Sequence, residues 1–159
     1  MRSYNEYKNA DSPGEFFDAA RTGDFIYFEH CLRDDKSFLN SADAKGYSVF
    51  MLACYHGHLK LAELLLSNGA NPNDTDASGN TVLMGVAFKG HVEIVKLLLA
   101  NGADVKQRNS SGQDALLFSR MFGRVEVTKI LAPDIKPTIL QRFRAWNTYL
   151  YSQLMKGTN

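Results

Sequence analysis

Several features are scarce in this sequence, and each absence argues against a class of protein. Two cysteines among 159 residues are too few for a disulfide framework. The 18 lysines and arginines nearly balance the 17 acidic residues, so the net charge of +1 creates no strong field toward nucleic acid or anionic lipid. No apolar run approaches the roughly 18 residues of a membrane-spanning helix. We therefore expect neither a disulfide scaffold nor a membrane protein.

What remains is the composition of an ordinary globular domain. Hydrophobic residues make up 45% of the chain and charged residues 22%, which argues against wholesale disorder. The first residues are polar and contain no apolar core of a secretory signal peptide. We expect one domain over residues 1–159, located in the cytoplasm.

Glycine recurs in this sequence with a fixed period of 33 residues. One set comprises Gly46, Gly79 and Gly112, and a second comprises Gly57, Gly90 and Gly123. The text between the glycines matches as well, because the segment from Asp43 parallels the segment from Asp76 and a third copy starts at Asn109. A variant copy surrounds Gly23. We predict four repeats at approximately 14–42, 43–75, 76–108 and 109–133.

Each copy has the pattern of two short helices. A turn signal of the form Asp-x-x-Gly precedes a short apolar run, glycine ends that run, and a second apolar segment follows before another glycine. The second segment of the copy from Asp76 is apolar on most of its faces, so it must be buried on two sides. One unit cannot bury this surface alone, and we predict that the repeats stack.

At these residues the sequence resembles the ankyrin-repeat family. The family pattern, approximately D-x-x-G-x-T-P-L-H-x-A-A-x-x-G-H-x-x-I-V-x-L-L-L-x-x-G-A-D-x-N, is met at most positions from Asp43 to Gly102, and variant repeats extend the match from Gly14 to Pro133. The resemblance implies an all-α fold, an α-solenoid of stacked helix-turn-helix repeats with short hairpin-like loops. It also implies a non-catalytic protein–protein interaction module that binds on its concave face.

The sequence departs from the family pattern in two places. The Pro and His of T-P-L-H are replaced in all three copies, so we expect the hydrogen bonds of that histidine to the turn to be lost. In the last copy Ser119 and Arg120 replace a small apolar pair, and Arg124 replaces the His after glycine. Terminal repeats face water on one side, so these changes are interpreted as capping.

A further helix is predicted over approximately 138–155. Its apolar residues fall at helical spacing on one face: Ile139, Leu140, Phe143, Trp146, Leu150 and Leu154. Two interpretations stay open. The helix either covers the exposed side of the fourth repeat, or it binds a partner or a second copy through Trp146, Tyr149 and Tyr151.

The sequence contains no convincing catalytic or metal site. His56 and His58 straddle the turn at Gly57, and His58 matches His91, which indicates a structural role. The segment from Asp74 resembles the start of a calcium-binding loop. Its twelfth position is a glycine, however, where such a loop needs a Glu that binds calcium through both carboxylate oxygens. Cys31 and Cys54 fall at apolar positions of the repeat and are expected to be buried. We expect no enzyme, no cofactor, no metal and no small-molecule substrate.

The resemblance directs attention to the variable positions of the concave face. Aromatic residues and methionine are frequent there, as they are in interface centres, and three cations accompany them with no nearby acid in the same set of positions. The predicted partner-binding residues are Arg21, Lys45, Tyr47, Tyr55, His56, Phe88, Lys89, Met121 and Phe122. We expect them to hold another protein with an acidic and apolar surface.

Several roles fit such a module. It is expected to act as an inhibitor, such as an immunity protein, or as a regulatory protein. The alternative is an adaptor or effector that uses the C-terminal helix. Nucleic-acid binding through that basic helix is less favoured because the net charge is near zero.

Overall fold

The structure is a computed structural model that describes residues 13–34 and 36–133. Paired helices, each pair joined by a short turn, make up this part of the chain. They are α1 (Pro13–Thr22) and α2 (Phe25–Asp34), α3 (Val49–Tyr55) and α4 (Leu59–Ser67), α5 (Val82–Lys89) and α6 (Val92–Ala100), and α7 (Ala115–Met121) and α8 (Val125–Leu131). A 3₁₀ turn at Ser37–Asn40 follows α2. The predicted all-α repeat solenoid is confirmed.

The helices form two layers. The first helices of the pairs (α1, α3, α5 and α7) pack side by side, and the second helices (α2, α4, α6 and α8) do the same. Phe50 and Leu83 on the first helices and Leu65 and Leu98 on the second are at most 1% exposed. The apolar surface of each short helix is therefore shared with both neighbouring repeats, which is why seven to ten residues suffice for each helix.

A side-chain cap starts the first helix of three repeats. Ser48, Thr81 and Asp114 each accept a hydrogen bond from the backbone N–H three residues later. The expected loss of the histidine hydrogen bond is wrong for the second full repeat. There Met84 occupies the histidine position, and its sulfur accepts a hydrogen bond from the Thr81 N–H at 3.4 Å.

Each repeat is fastened to the preceding one beside a turn glycine. The residue after the glycine makes a hydrogen bond to a carbonyl at the end of the previous first helix: His58 Nε2 to Arg21 O at 2.8 Å, His91 Nε2 to Tyr55 O at 3.2 Å, and Arg124 Nε to Phe88 O at 2.8 Å. The structural role expected for His58 is therefore observed. Arg124 replaces histidine and makes the equivalent bond.

The interior of the last repeat contains a buried polar pair beside its apolar residues, and this corrects the interpretation of Ser119 as a water-facing cap. Ser119 is fully buried. Its hydroxyl lies 2.9 Å from the hydroxyl of buried Thr128 and donates to the Leu116 carbonyl at 2.8 Å. Both buried hydroxyls thus have partners, so the pair is compatible with a well-packed interior.

The C-terminal side of the stack exposes apolar surface. Met51 and Met84 are 6% and 1% exposed, whereas Leu117 at the equivalent position of the last repeat is 40% exposed. This difference follows from position, because no described repeat packs against α7 from that side. The predicted helix over 138–155 lies outside the described residues.

The turn glycines give the first prediction. Gly57 and Gly102 both have positive φ, +88° and +84°, but a Cβ at Gly57 would lie 2.9 Å from Cε1 of His91 while a Cβ at Gly102 meets nothing within 4 Å. Gly102→Ala should cost about 1 kcal/mol for the left-handed backbone. Gly57→Ala should cost roughly 1 kcal/mol more, because the His91 ring must move away from the Tyr55 carbonyl. Urea unfolding measures both; equal losses would contradict the proposed role of the ring contact.

Candidate functional site

A groove of about 510 Å³ lies between the hairpin loops and the first helices of the two central repeats. Its lining includes six of the nine predicted partner-binding residues: Arg21, Lys45, Tyr47, Tyr55, His56 and Phe88. Lys89, Met121 and Phe122 lie outside the lining. The structure thus brings most of the predicted residues to one concave surface.

The groove depends on a glycine that the sequence analysis did not single out. Gly85 occupies the helical position that Leu52 holds in the preceding repeat and Phe118 in the following one, and all three residues line the groove. A Cβ at Gly85 would lie 3.3 Å from Cδ2 of Tyr55. A side chain is therefore missing in α5 where both neighbouring helices carry a large one. The sequence did carry a signal, namely a glycine inside an apolar helix. Glycine destabilises a helix at such a position, so its presence indicates close packing or open space with a function.

Aromatic rings form a continuous row beside the groove. The rings of Tyr55 and Phe88 are nearly parallel, with centroids 6.2 Å apart and an interplanar angle of 4°. Phe88 meets Phe122 edge-on at 4.4 Å between centroids. These contacts leave Tyr55 and Phe88 half-buried rather than fully in water, whereas Phe122 is 44% and Met121 52% exposed. The predicted aromatic ladder exists as a surface on which each ring positions the next.

The cations around the groove are not equivalent. Arg21 makes ion pairs with Asp18 at 2.8 Å and Asp43 at 3.1 Å, two acids outside the predicted set of concave-face residues. Lys89 places its Nζ 4.7 Å from the Tyr55 ring centroid, a cation–π contact. Lys45 is exposed on the hairpin loop. Arg21 is therefore held by acids, whereas Lys89 lies on the Tyr55 ring and Lys45 is exposed on the loop.

The acids at the groove serve the hairpin loops. Asp43 Oδ1 accepts hydrogen bonds from the backbone N–H groups of Lys45 and Tyr47, at 2.9 and 3.0 Å. Asp76 does the same for Ser78 and Asn80, both at 2.8 Å. These carboxylates are engaged by the backbone, which lowers their capacity to bind an outside cation.

The Tyr47 hydroxyl stays protonated because partial burial and the carboxylates of Asp76 and Asp43 raise its pKa. It is therefore available as a hydrogen-bond donor at the hairpin side of the groove.

The helix-end side of the groove is positively polarised around His56. Partial desolvation lowers the pKa of its imidazole, and the basic groups of His58, Lys89, Arg21 and His91 lower it further. His56 is consequently uncharged at neutral pH. The helix-end side of the groove therefore carries the positive charge of Lys89, and His56 contributes no further charge.

The described residues show no catalytic constellation. Cys54 is fully buried and burial raises the pKa of its thiol, whereas Cys31 is only half-buried, with a pKa that burial also raises. The expectation of a buried residue thus holds fully for Cys54 alone. Over residues 13–34 and 36–133 no three His, Cys, Asp or Glu side chains are grouped to hold a metal ion. In the same ranges no helix has the length and apolar character needed to cross a membrane.

Comparison with known proteins agrees with this architecture. The model of the family described as "Ankyrin repeats (3 copies)" matches residues 50–141, more than half of the chain. The chain belongs to the ankyrin-repeat family. A segment of 54 residues is 41% identical to the mouse (Mus musculus) protein "Ankyrin repeat and MYND domain-containing protein 1". That segment is 34% of this chain and 6% of the mouse protein, so the chain corresponds to a small part of that relative's length.

Ankyrin repeats are generally protein–protein interaction modules. The surface that serves such a function in this ankyrin-repeat chain must be found from its own residues, because a shared fold does not assign a site. The groove and the aromatic row are the candidates that the geometry offers.

The lowered pKa of His56 gives a prediction for stability. In the folded chain His56 binds fewer protons than in the unfolded chain at mildly acidic pH, so acidification favours unfolding. The free energy of unfolding of the parent chain should therefore fall from about pH 7.5 to about pH 5.5 more steeply than that of His56→Gln. Urea titrations at several pH values measure the difference, and identical slopes for the two chains would show that the desolvation and basic neighbours of His56 have no energetic effect on unfolding.

Proposed function

We propose that this ankyrin-repeat chain is a non-catalytic module that binds a protein partner through the groove and the aromatic row. The observation that carries the proposal is the unbroken contact from Tyr55 through Phe88 to Phe122 beside an open groove. Interface centres are enriched in such residues, and their rigid rings lose little conformational entropy on binding.

The partner surface is proposed to be both apolar and acidic. Half-buried aromatic rings already have part of their area removed from water, and a partner removes the rest. Lys45 and Lys89 would attract carboxylates, while Arg21 is engaged by Asp18 and Asp43. The cationic contribution is thus smaller than the sequence indicated, and the apolar contact is the main source of affinity.

An inhibitor or regulatory protein is the proposed role. Binding that covers a partner's site without chemistry is sufficient for either activity, and neither requires a group that the described residues lack. A cytoplasmic location is part of the proposal. An inhibitor would associate one-to-one and abolish the partner's activity, whereas an adaptor would bind and leave that activity intact.

The aromatic row can be tested by truncating two of its rings. Tyr55→Ala combined with Phe88→Ala should weaken partner binding by at least about 100-fold, because central aromatic residues commonly contribute more than 2 kcal/mol each. The chain is used to capture its partner from a lysate of the source cells, the partner is identified by mass spectrometry, and its affinity for both chains is measured by calorimetry.

A matched control separates binding from folding. Leu66 and Leu99 are half-buried apolar residues on the second helices of the same two repeats, away from the groove lining. Leu66→Ala combined with Leu99→Ala should reduce stability at least as much as the aromatic substitutions while retaining the affinity. If the control weakens binding equally, the aromatic row is not the binding surface.

The exposed surface of the last repeat supports a second proposal. We propose that the segment over 138–155 covers exposed apolar side chains of the last repeat, Leu117 and Val125, which are 40% and 37% exposed in the described part of the chain. The apolar residues at helical spacing in that segment supply a complementary surface. This is the capping interpretation; the alternative assigns the segment to a partner.

A double-mutant cycle distinguishes the two interpretations. If the segment is a cap, deleting residues 138–159 should lower the free energy of unfolding by about 1–3 kcal/mol, and Leu117→Gln should destabilise the complete chain but not the shortened one. Urea unfolding of the four chains gives the coupling. Additive effects, together with a loss of partner binding in a folded shortened chain, would assign the segment to partner binding instead.

A further inference from the structure

We infer that Gly85 creates a specificity pocket that receives one large apolar side chain of the partner protein. A carboxylate next to that side chain in the partner contacts Lys89. This inference rests on the proposed function. It goes further by specifying which side chain of the partner enters the groove and which charge lies beside it. It makes Gly85 the residue that selects the partner.

The first argument is steric. Gly85 lacks the side chain that Leu52 and Phe118 carry at the equivalent positions of the neighbouring repeats, and all three residues line the groove. The Tyr55 ring packs against Gly85, with its Cδ2 3.3 Å from where a Cβ would lie. The whole groove measures about 510 Å³, within the range of pockets that hold ligand-sized groups, so it accommodates the inserted side chain together with part of its own backbone.

The second argument is the chemistry of the walls. The groove lining has an apolar part, formed by Met51, Val82, Met84 and the ring of Phe88, beside polar side chains that include Asp43, Asp76 and Asn80. Thioether and aromatic groups adapt to the shape of an apolar insert and offer it few hydrogen bonds. A polar insert buried against this apolar part would lose its water without replacement, so the pocket selects a leucine, methionine or phenylalanine side chain.

The third argument is the charge at the rim. On the hairpin side, the carboxylates of Asp43 and Asp76 are engaged by backbone N–H groups. On the helix-end side, the Lys89 Nζ lies 4.7 Å from the centroid of the Tyr55 ring. The complementary group is an anion located beside the inserted apolar side chain.

The experiment uses displayed peptides as the probe, so that the partner need not be known. A random 12-residue peptide library is selected on the complete chain. The expected result is enrichment of a large apolar residue adjacent to Asp or Glu. No enrichment, or enrichment without this pair, would overturn the inference.

Two substitutions at one position test the pocket itself. Gly85→Leu places in the groove the side chain that α3 carries at the equivalent position, and the Tyr55 ring, 3.3 Å from a Cβ there, must shift by a few tenths of an ångström to admit it. It should weaken the selected peptides at least 100-fold. Gly85→Ala adds only a Cβ near Tyr55 and should weaken them by less than about 10-fold. Equal binding to parent and Gly85→Leu chains, both folded by circular dichroism, would contradict the pocket.

The carboxylate is tested with paired peptides. Lys89→Gln should weaken a selected acidic peptide roughly 10-fold and leave its Asn or Gln analogue unaffected. If the substitution weakens both peptides equally, Lys89 contributes packing on Tyr55 rather than recognition of an anion.

The location is read from methionine methyl resonances. Met51 and Met84 line the groove, whereas Met121 lies outside its lining and is an internal control. A bound peptide should shift the methyl signals of Met51 and Met84 more than that of Met121, which lies beside the aromatic row; shifts at Met121 alone would place the peptide outside the pocket. If Tyr55→Ala with Phe88→Ala abolishes partner binding while Gly85→Leu retains it, the proposed function stands and the pocket is wrong.

Discussion

The structure depends on the hydrogen bond that joins each repeat to the end of the preceding first helix. His58, His91 and Arg124 make it across a glycine whose missing side chain lets them approach. The bond fixes the spacing between successive first helices, and that spacing aligns Tyr55, Phe88 and Phe122 into one surface. A repeat that slipped by one position would separate the rings and expose the apolar layer beneath. The fold and the candidate site therefore share one constraint.

Much of this architecture could be predicted from the sequence because the period is encoded in residues with distinct conformational demands. Glycine recurs where the backbone turns, and apolar residues recur where helices are shared. The substitutions in the last repeat were harder to interpret. Ser119 is polar and suggested an outward surface, but its hydroxyl is satisfied internally by Thr128. A single sequence does not reveal such a pair, since the two positions are joined only after the helices pack.

The candidate site was partly predictable for a related reason. Tyr55 and Phe88 occupy equivalent variable positions, so the repeat register alone places them side by side. The ion pair between Arg21 and Asp43 joins different repeats and depends on rotamers that the register does not determine. Gly85 was missed because a missing side chain has no chemistry of its own. It becomes meaningful only against the larger residues that the stack brings to either side of it.

The cap at the start of α5 has a consequence for the chemical behaviour of this repeat. Where the family pattern has histidine, Met84 accepts the Thr81 N–H through a thioether, which carries no proton to gain or lose. The cap at the start of α5 therefore does not change its charge across physiological pH. The cap is instead sensitive to oxidation. Adding oxygen to the nearly inaccessible Met84 sulfur would place a polar, bulkier group in the shared apolar layer.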